Sequence, residues 1–310
     1  MSIKDIAGNG EIQKTIAHVV EEALEPPAKE VGKQLATLID LLFTPLSATK
    51  IYRDAWITDF KARIDHKYRQ IPPDHVQAPP FNIVGSALEA SKYNIAVEEL
   101  REMFANLIAH ACDREMESAI HPSFIFILTQ ISSLEAGILA SFRQKENIQL
   151  GIKVSINGKE LPCLDDPRDS RAYIFPEHTY PIVNYYLARN NNRLLAQANV
   201  MIQDEQYSAE EVSAAVSNLI RLGLIEANYQ AHMANDTAYE PFYKNDLYQT
   251  LFKDANPGNE VFARSIRGNM IWGGQYNEVV VEKGIVRLTQ LGFNFIKVCV
   301  LEKEVVNEDS

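Results

Sequence analysis

Apolar residues recur every three or four positions along much of the N-terminal half of the chain. Ile12, Ile16, Val19, Val20 and Ala23 form one such stripe and predict a helix over residues 11–24. Pro26-Pro27 ends it, because proline lacks the amide and disfavours helix in the residue before it, and Pro27 suits the first turn of a second helix. That helix carries Val31, Leu35, Leu38, Ile39 and Leu42 and stops at Thr44-Pro45. A third, over residues 46–70, is longer and more polar, with Arg53, Lys61, Arg63, Lys67 and Arg69 set between Ile51, Trp56, Phe60 and Ile64. Pro72-Pro73 and Pro79-Pro80 bracket an extended linker. Residues 81–146 then read as helical almost throughout. Leu100, Met103, Phe104, Leu107, Ile108 and Ala111 make a wide core-facing stripe, Glu98 and Glu99 suit the first turn, and Ser132 with Glu135 has capping-box spacing.

The pattern changes after residue 146. Ile152-Lys153-Val154-Ser155-Ile156 alternates with period two, and Asn157-Gly158 is a hairpin signal, with Leu161–Leu164 as the return strand. Residues 179–201 are apolar in helical spacing. Ser208 and Glu211 form a second capping-box match, opening a helix that Gly223 closes. Leu224-Ile225-Glu226 leads into a strand, and further strands are expected at Val279–Val281 and Ile285–Leu288, with Lys283-Gly284 as a turn, before a last helix from Thr289. This succession looks like a winged helix whose wing is interrupted by a long insertion. The expected fold is therefore mainly α: a helical N-terminal body followed by a winged-helix-like α+β module. The expected divisions are amphipathic helices over 1–72, a helical core over 73–146, and a hairpin and helical insertion over 147–207. The winged-helix-like module follows over 208–302 with its insertion at 230–278, and 303–310 is a disordered polar tail.

Composition narrows the function classes. The 310 residues are 46% hydrophobic and 23% charged, ordinary for a folded protein, and the net charge is −11. Proteins that live on nucleic acid usually present a basic face, so the acidic balance disfavours that class. Three cysteines at long spacings, without CxxC, argue against a disulfide framework or a zinc site, and Cys112 and Cys299 read as small core residues. The N-terminus does not read as a signal peptide, and no apolar stretch approaches the ~20 residues of a membrane span. Cytoplasm is the expected compartment.

Candidate chemistry is sparse. There is no HExxH, GxSxG, P-loop or GxGxxG. His110, Cys112, Asp113 and Glu115 lie close in sequence but on different helix faces, as expected of a helix end with a polar surface. His121 before Pro122 reads as a helix cap or as a histidine that satisfies a backbone carbonyl, rather than as a base or ligand. Asp165, Asp166, Asp169 and His178 read as an acidic loop rather than a metal site. Glu89, on a strongly apolar helix, needs a partner if buried, with Arg101 the nearest candidate and a role in fixing a helix angle. Arg53, Lys61, Arg63, Lys67 and Arg69, with Arg221 on the helix before Gly223, are the candidate phosphate-binding residues. That helix also exposes Glu210, Glu211, Ser213, Ser217 and Asn218 on this reading, a poor surface for reading DNA.

Three stretches carry a family resemblance: Pro79-Pro80-Phe81-Asn82-Ile83-Val84-Gly85-Ser86-Ala87-Leu88-Glu89-Ala90-Ser91, Glu98-Glu99-Leu100-Arg101-Glu102-Met103-Phe104-Ala105-Asn106-Leu107-Ile108-Ala109, and His121-Pro122-Ser123-Phe124 followed by Ile131-Ser132-Ser133-Leu134-Glu135-Ala136. Together they resemble the abortive infection alpha family, best over 75–145 and loosely in the C-terminal module. The resemblance implies bacterial defence against phage, in which an infected cell stops growing or dies before phage are released. It brings no catalytic residues. The reading is a non-enzymatic defence protein without cofactor that binds a protein partner or itself. The alternatives are a winged-helix DNA-binding regulator and a membrane-active toxin using the helices at 11–43. Glu21, Glu22, Glu25 and Glu30 speak against the toxin, because interfacial helices usually carry Lys and Arg.

Overall fold

A computed structural model describes residues 28–43, 50–142, 152–156, 159–160, 179–202, 206–233, 236–256, 263–272 and 274–300. The expected helix at 11–24, the acidic loop with His178, Cys163, the return strand at 161–164 and the tail lie outside them. The chain divides into two compact units, residues 1–136 with 294–310, and residues 137–293. The fold is mostly helical, with a curled antiparallel sheet in the C-terminal part.

In the first unit, helices α1 (Ala28–Phe43), α2 (Lys50–Tyr68), α3 (Phe81–Ser91), α4 (Glu98–His110) and α5 (Ser123–Leu128) follow the expected apolar stripes. Helix α4 is the centre. From Leu100 to His110 only Glu102 is not buried, and α2, α3 and a π-helical turn at Ile296–Val300 all pack on it. Phe124 meets Phe295 edge-on at 5.2 Å between ring centroids, a favoured aromatic geometry. The π-helical turn is held by side chains of α4: Asn106 Nδ2 donates to the Cys299 carbonyl at 2.8 Å, and His110 Nδ1 lies 2.7 Å from the Val298 carbonyl. Carbonyls at a helix end lack intrahelical partners, and here two polar residues one turn apart supply them. His110, Cys112 and Asp113 are therefore interior, correcting the expectation of a polar surface at this helix end.

Helix α6 (Ser133–Ser141) begins as its capping box predicts, with the Ser132 amide donating to Glu135 at 2.7 Å. In the second unit, β1 (Ile152–Ile156) pairs antiparallel with β2 (Lys159–Glu160), as the Asn157-Gly158 signal predicts. The largest difference follows. Residues expected to be helical form β3 (Thr179–Arg189) and β4 (Asn192–Val200), a long hairpin. The segment Ile182-Val183-Asn184-Tyr185-Tyr186-Leu187 is buried on both faces, so it lacks the alternation that marks a half-exposed strand. Length and apolar content alone do not separate such a strand from a helix.

Helix α7 (Ala209–Arg221) has both arms of its capping box, and Gly223 stands at φ 73° as a left-handed cap. Strand β5 (Ile225–Asn228) follows, then β6 (Ala231–Met233), which pairs with β1. Two short helices, α8 (Glu240–Lys244) and α9 (Asp246–Ala255), precede a hairpin of β7 (Ala263–Ile266) and β8 (Asn269–Trp272). The last strand, β9 (Glu278–Leu288), runs unbroken through Lys283-Gly284, so the expected turn there does not exist. Gly284 serves close approach instead: a Cβ there would meet the Tyr229 ring at 2.5 Å and the Asn228 carbonyl at 3.0 Å. The main sheet has the order β4-β3-β9-β5. Its two strands from 179–200 therefore belong with the module that was expected to begin at 208. Helix α10 (Gln290–Phe295) leads into the π-helical turn. Among the described residues, no helix is long and apolar enough to cross a membrane.

Candidate functional site

The candidate residues of the first unit converge where α2 crosses α4. Arg63 Nη1 donates to Glu102 at 2.5 Å, its Nη2 to Glu98 at 3.0 Å and its Nε to Asp59 at 2.8 Å. Lys67 also pairs with Glu102, and Arg101 Nε lies 2.7 Å from Asp59 with its N–H off-line, an ion pair rather than a directed hydrogen bond. Arg101 spends its Nη1 on the Ile95 carbonyl at 2.6 Å, holding the loop before α4. Helical spacing explains the convergence. Asp59, Arg63 and Lys67 follow at intervals of four on α2, as do Glu98 and Glu102 on α4, so complementary rows face each other. Burial raises the Glu102 carboxyl, but hydrogen bonds from Lys67 and Arg63 outweigh it and hold the group below its ordinary value. Hydrogen bonding to Glu102 raises the Arg63 guanidinium further, against the burial that lowers it.

The remaining candidates fall elsewhere. Glu89 pairs with Lys92 rather than Arg101, whose guanidinium is turned to Asp59. Lys61 pairs with Asp40, and Arg69 lies 2.7 Å from Asp65 on its own helix. Arg53 sits on α2 among positions whose side chains lie outside the described residues. The strip read as a candidate phosphate site is thus matched by carboxylates at Lys61, Arg63, Lys67 and Arg69. His121 lies just before α5, where its Nδ1 accepts the Ser123 amide at 3.2 Å and lies 2.7 Å from the Ser123 hydroxyl, while Pro122 stands at the N-cap position. Arg221 donates through Nε and Nη2 to Asn218 on the previous turn.

A second polar cluster, in the other unit, was not anticipated. Strand β4 carries a bulge, so that Ala198 and Asn199 stand opposite Asn184 alone, with Asn199 at φ 54°. The Asn184 side chain replaces the lost ladder bond by accepting the Asn199 amide at 2.9 Å, and its Nδ2 donates to Glu282 at 2.7 Å. Tyr186 donates to Glu282 at 3.0 Å and Tyr229 donates to Asn199 at 2.8 Å. Burial, then the hydrogen bond and charge of Glu282, raises the Tyr186 phenol, and burial raises Tyr229. Ser213 and Ser217 of α7 join the network. Ser213 donates to the Ala198 carbonyl and accepts Gln197 at 2.7 Å, and Ser217 lies 3.1 Å from Asn199 Nδ2. Ser213 is 4% exposed, which corrects its reading as a surface residue of a groove-reading helix. With one carboxylate held by two donors, the cluster sets strand register and the seat of α7.

Opposite this polar face lies an aromatic one. Buried Tyr185 donates to the Phe242 carbonyl at 2.6 Å and accepts Asn245 at 2.8 Å, and Tyr239 donates to the Gly284 carbonyl at 2.8 Å. These phenols tie α8 and α9 to the sheet. Burial pushes Tyr239 up to about 12. From Tyr185 the aromatic contacts continue outward, ring by ring. Tyr248 lies 5.9 Å from Tyr185, Tyr243 meets Tyr248 edge-on at 5.3 Å, and Phe252 stacks on Tyr248 at 6.2 Å. Tyr243 is 37% exposed and Phe252 48%.

No cluster of His, Cys, Asp and Glu suited to a metal occurs among the described residues. The thiols of Cys112 and Cys299 are buried and pushed up by burial, Cys112 to about 12. Neither a curated protein nor a solved structure matches the chain. The model of one family, described as Abortive infection alpha, matches residues 52–299, from within α2 to the π-helical turn, and the chain belongs to that family.

Proposed function

We propose that the chain serves abortive infection, the role its family suggests, by non-covalent association with a protein rather than by catalysis. The observation that supports this is the ridge of Tyr243, Tyr248 and Phe252. Aromatic side chains dominate the energetic centres of protein interfaces, and they lose less entropy on binding when already held in place. Here each ring leans on the next, and the innermost rests on buried Tyr185. Beside the ridge Glu240 and Lys244 are paired at 3.3 Å, which leaves their charges matched next to the apolar rings.

The test is the variant Tyr243→Ser/Phe252→Ser in a host challenged with phage. With expression and thermal unfolding unchanged, plaque protection falls by at least tenfold on this reading, as follows from loss of a contact worth ~2 kcal/mol. Full protection by a folded, normally expressed variant would overturn it.

A further inference from the structure

The polar face of the main sheet holds a carboxylate that its neighbours engage through one oxygen only. Glu282 stands opposite Asn184 in the β3–β9 ladder, so the two side chains share a face. Both donors to it, Asn184 Nδ2 at 2.7 Å and the Tyr186 hydroxyl at 3.0 Å, meet the same atom, Oε2. Oε1 accepts from no described residue, and it is not sealed from solvent. Phenol side chains stand on either side. Tyr186 comes from the position opposite Val280, two residues before Glu282, and the Tyr229 ring lies against Gly284, two residues after it. Burial raises the Tyr229 phenol, and the nearby charge of Glu282 adds to the rise. Among the described residues no cation pairs with this carboxylate. Lys283 points to the other face and pairs with Asp236 at 3.1 Å, and Arg193, whose charge reaches the Tyr186 phenol, makes no ion pair with Glu282.

The placement of protons decides what could bind here. The Tyr186 proton points to Glu282, and the Tyr229 proton to Asn199 at 2.8 Å. Glu282 Oε1 and the two phenol oxygens therefore have only lone pairs to offer. We propose that Glu282, with Tyr186 and Tyr229 on either side, binds a primary ammonium group. Such a group brings only N–H donors and a positive charge, whereas an anion would meet no proton and a like charge. A guanidinium pairs best with both oxygens of a carboxylate, and Oε2 already takes two hydrogen bonds. A divalent metal ion takes about six oxygen ligands, more than this face supplies. The ammonium could belong to a free amine or to a lysine side chain of a protein. The reading is independent of the aromatic ridge on α8 and α9.

The test is isothermal titration calorimetry of the full-length protein with cadaverine and with acetyl-lysine amide, beside tetramethylammonium and guanidinium as control cations. At least one primary amine binds saturably, and both control cations bind ~10-fold or more weakly. Glu282→Gln keeps an acceptor for Asn184 but removes the charge, and weakens the amine by ~10-fold or more, while Tyr186→Phe weakens it by ~3-fold. Glu278→Gln removes an equal charge from the same sheet face, four residues before Glu282, and binds as wild type. Thermal unfolding establishes that the variants fold; if Glu282→Gln does not, Tyr186→Phe and the control cations decide. Tighter binding of cadaverine assigns the site to a free amine, and tighter binding of the lysine amide to a protein side chain. The proposal is overturned if neither amine binds saturably, if the control cations bind as tightly, if folded Glu282→Gln binds like wild type, or if Glu278→Gln weakens binding as much.

Discussion

Replacing Glu102 by Gln removes the charge that Arg63 and Lys67 share. The Glu102 side chain is 26% exposed and that of Lys67 9%, so the site lies between a surface pair and a buried one. Exposed pairs contribute about 0–1 kcal/mol, whereas leaving a buried charge without its partner costs about 3–5 kcal/mol. The intermediate burial places Glu102→Gln at about 2 kcal/mol. Glu98→Gln, at a side chain 70% exposed, should cost about 0.5 kcal/mol. Hydrogen exchange of the α4 amides measures the difference locally, without assuming that both units unfold together. A double-mutant cycle with Lys67→Met isolates the coupling. The sign with pH is fixed by the lowered Glu102 carboxyl. Its contribution is complete above the ordinary carboxylate value and is lost as pH falls through the depressed folded-state value. Equal effects of Glu102→Gln and Glu98→Gln, or coupling below about 0.3 kcal/mol, would refute the idea that this crossing is held by charge.

The glycines make a contrasting pair. Gly292→Ala drives a Cβ into the Leu224 backbone carbonyl and should cost ~3 kcal/mol or more in thermal unfolding, while exposed Gly137→Ala on α6 meets nothing within 4 Å and should stabilise by ~0.5–1 kcal/mol. Asn106→Ala and His110→Ala should each increase hydrogen exchange in 296–300 more than in α3, by ~1–3 kcal/mol, because a buried carbonyl is left unpaired. In a Cys163→Ala background, Cys112 and Cys299 should resist thiol labelling at pH 8.5 until the protein unfolds, since burial raises both thiols.

The helices were legible because their apolar stripes, and at α6 and α7 their caps, are written in local sequence. The stripes of α1, α3 and α4, the caps at Ser132 and Ser208 and the left-handed Gly223 depend on neighbours within a few residues. The sheet was not legible for the opposite reason. Strand β3 is buried on both faces and carries no alternation, and Gly284 looks like a turn residue when only its neighbours in sequence are considered. Its reason is the Tyr229 ring, which lies against it where a Cβ would stand. The candidate residues divide the same way. His121 makes its contacts with Ser123, two residues away. The partners of Arg63 and Lys67 on α4 lie 35 or more residues ahead, although the matching intervals of four in Arg63-Lys67 and Glu98-Glu102 were present to be compared. Asn184, Asn199 and Glu282 gave no signal, because a bulge joins the first two and long-range strand pairing sets Glu282 opposite Asn184.

Infection of a host carrying the gene, with a panel of phages at low and high multiplicity, tests the central claim most directly. The account predicts protection of the culture at low multiplicity and collapse at high multiplicity, with fewer phage released per infected cell. Unchanged plaque number, phage yield and growth with every phage would contradict it.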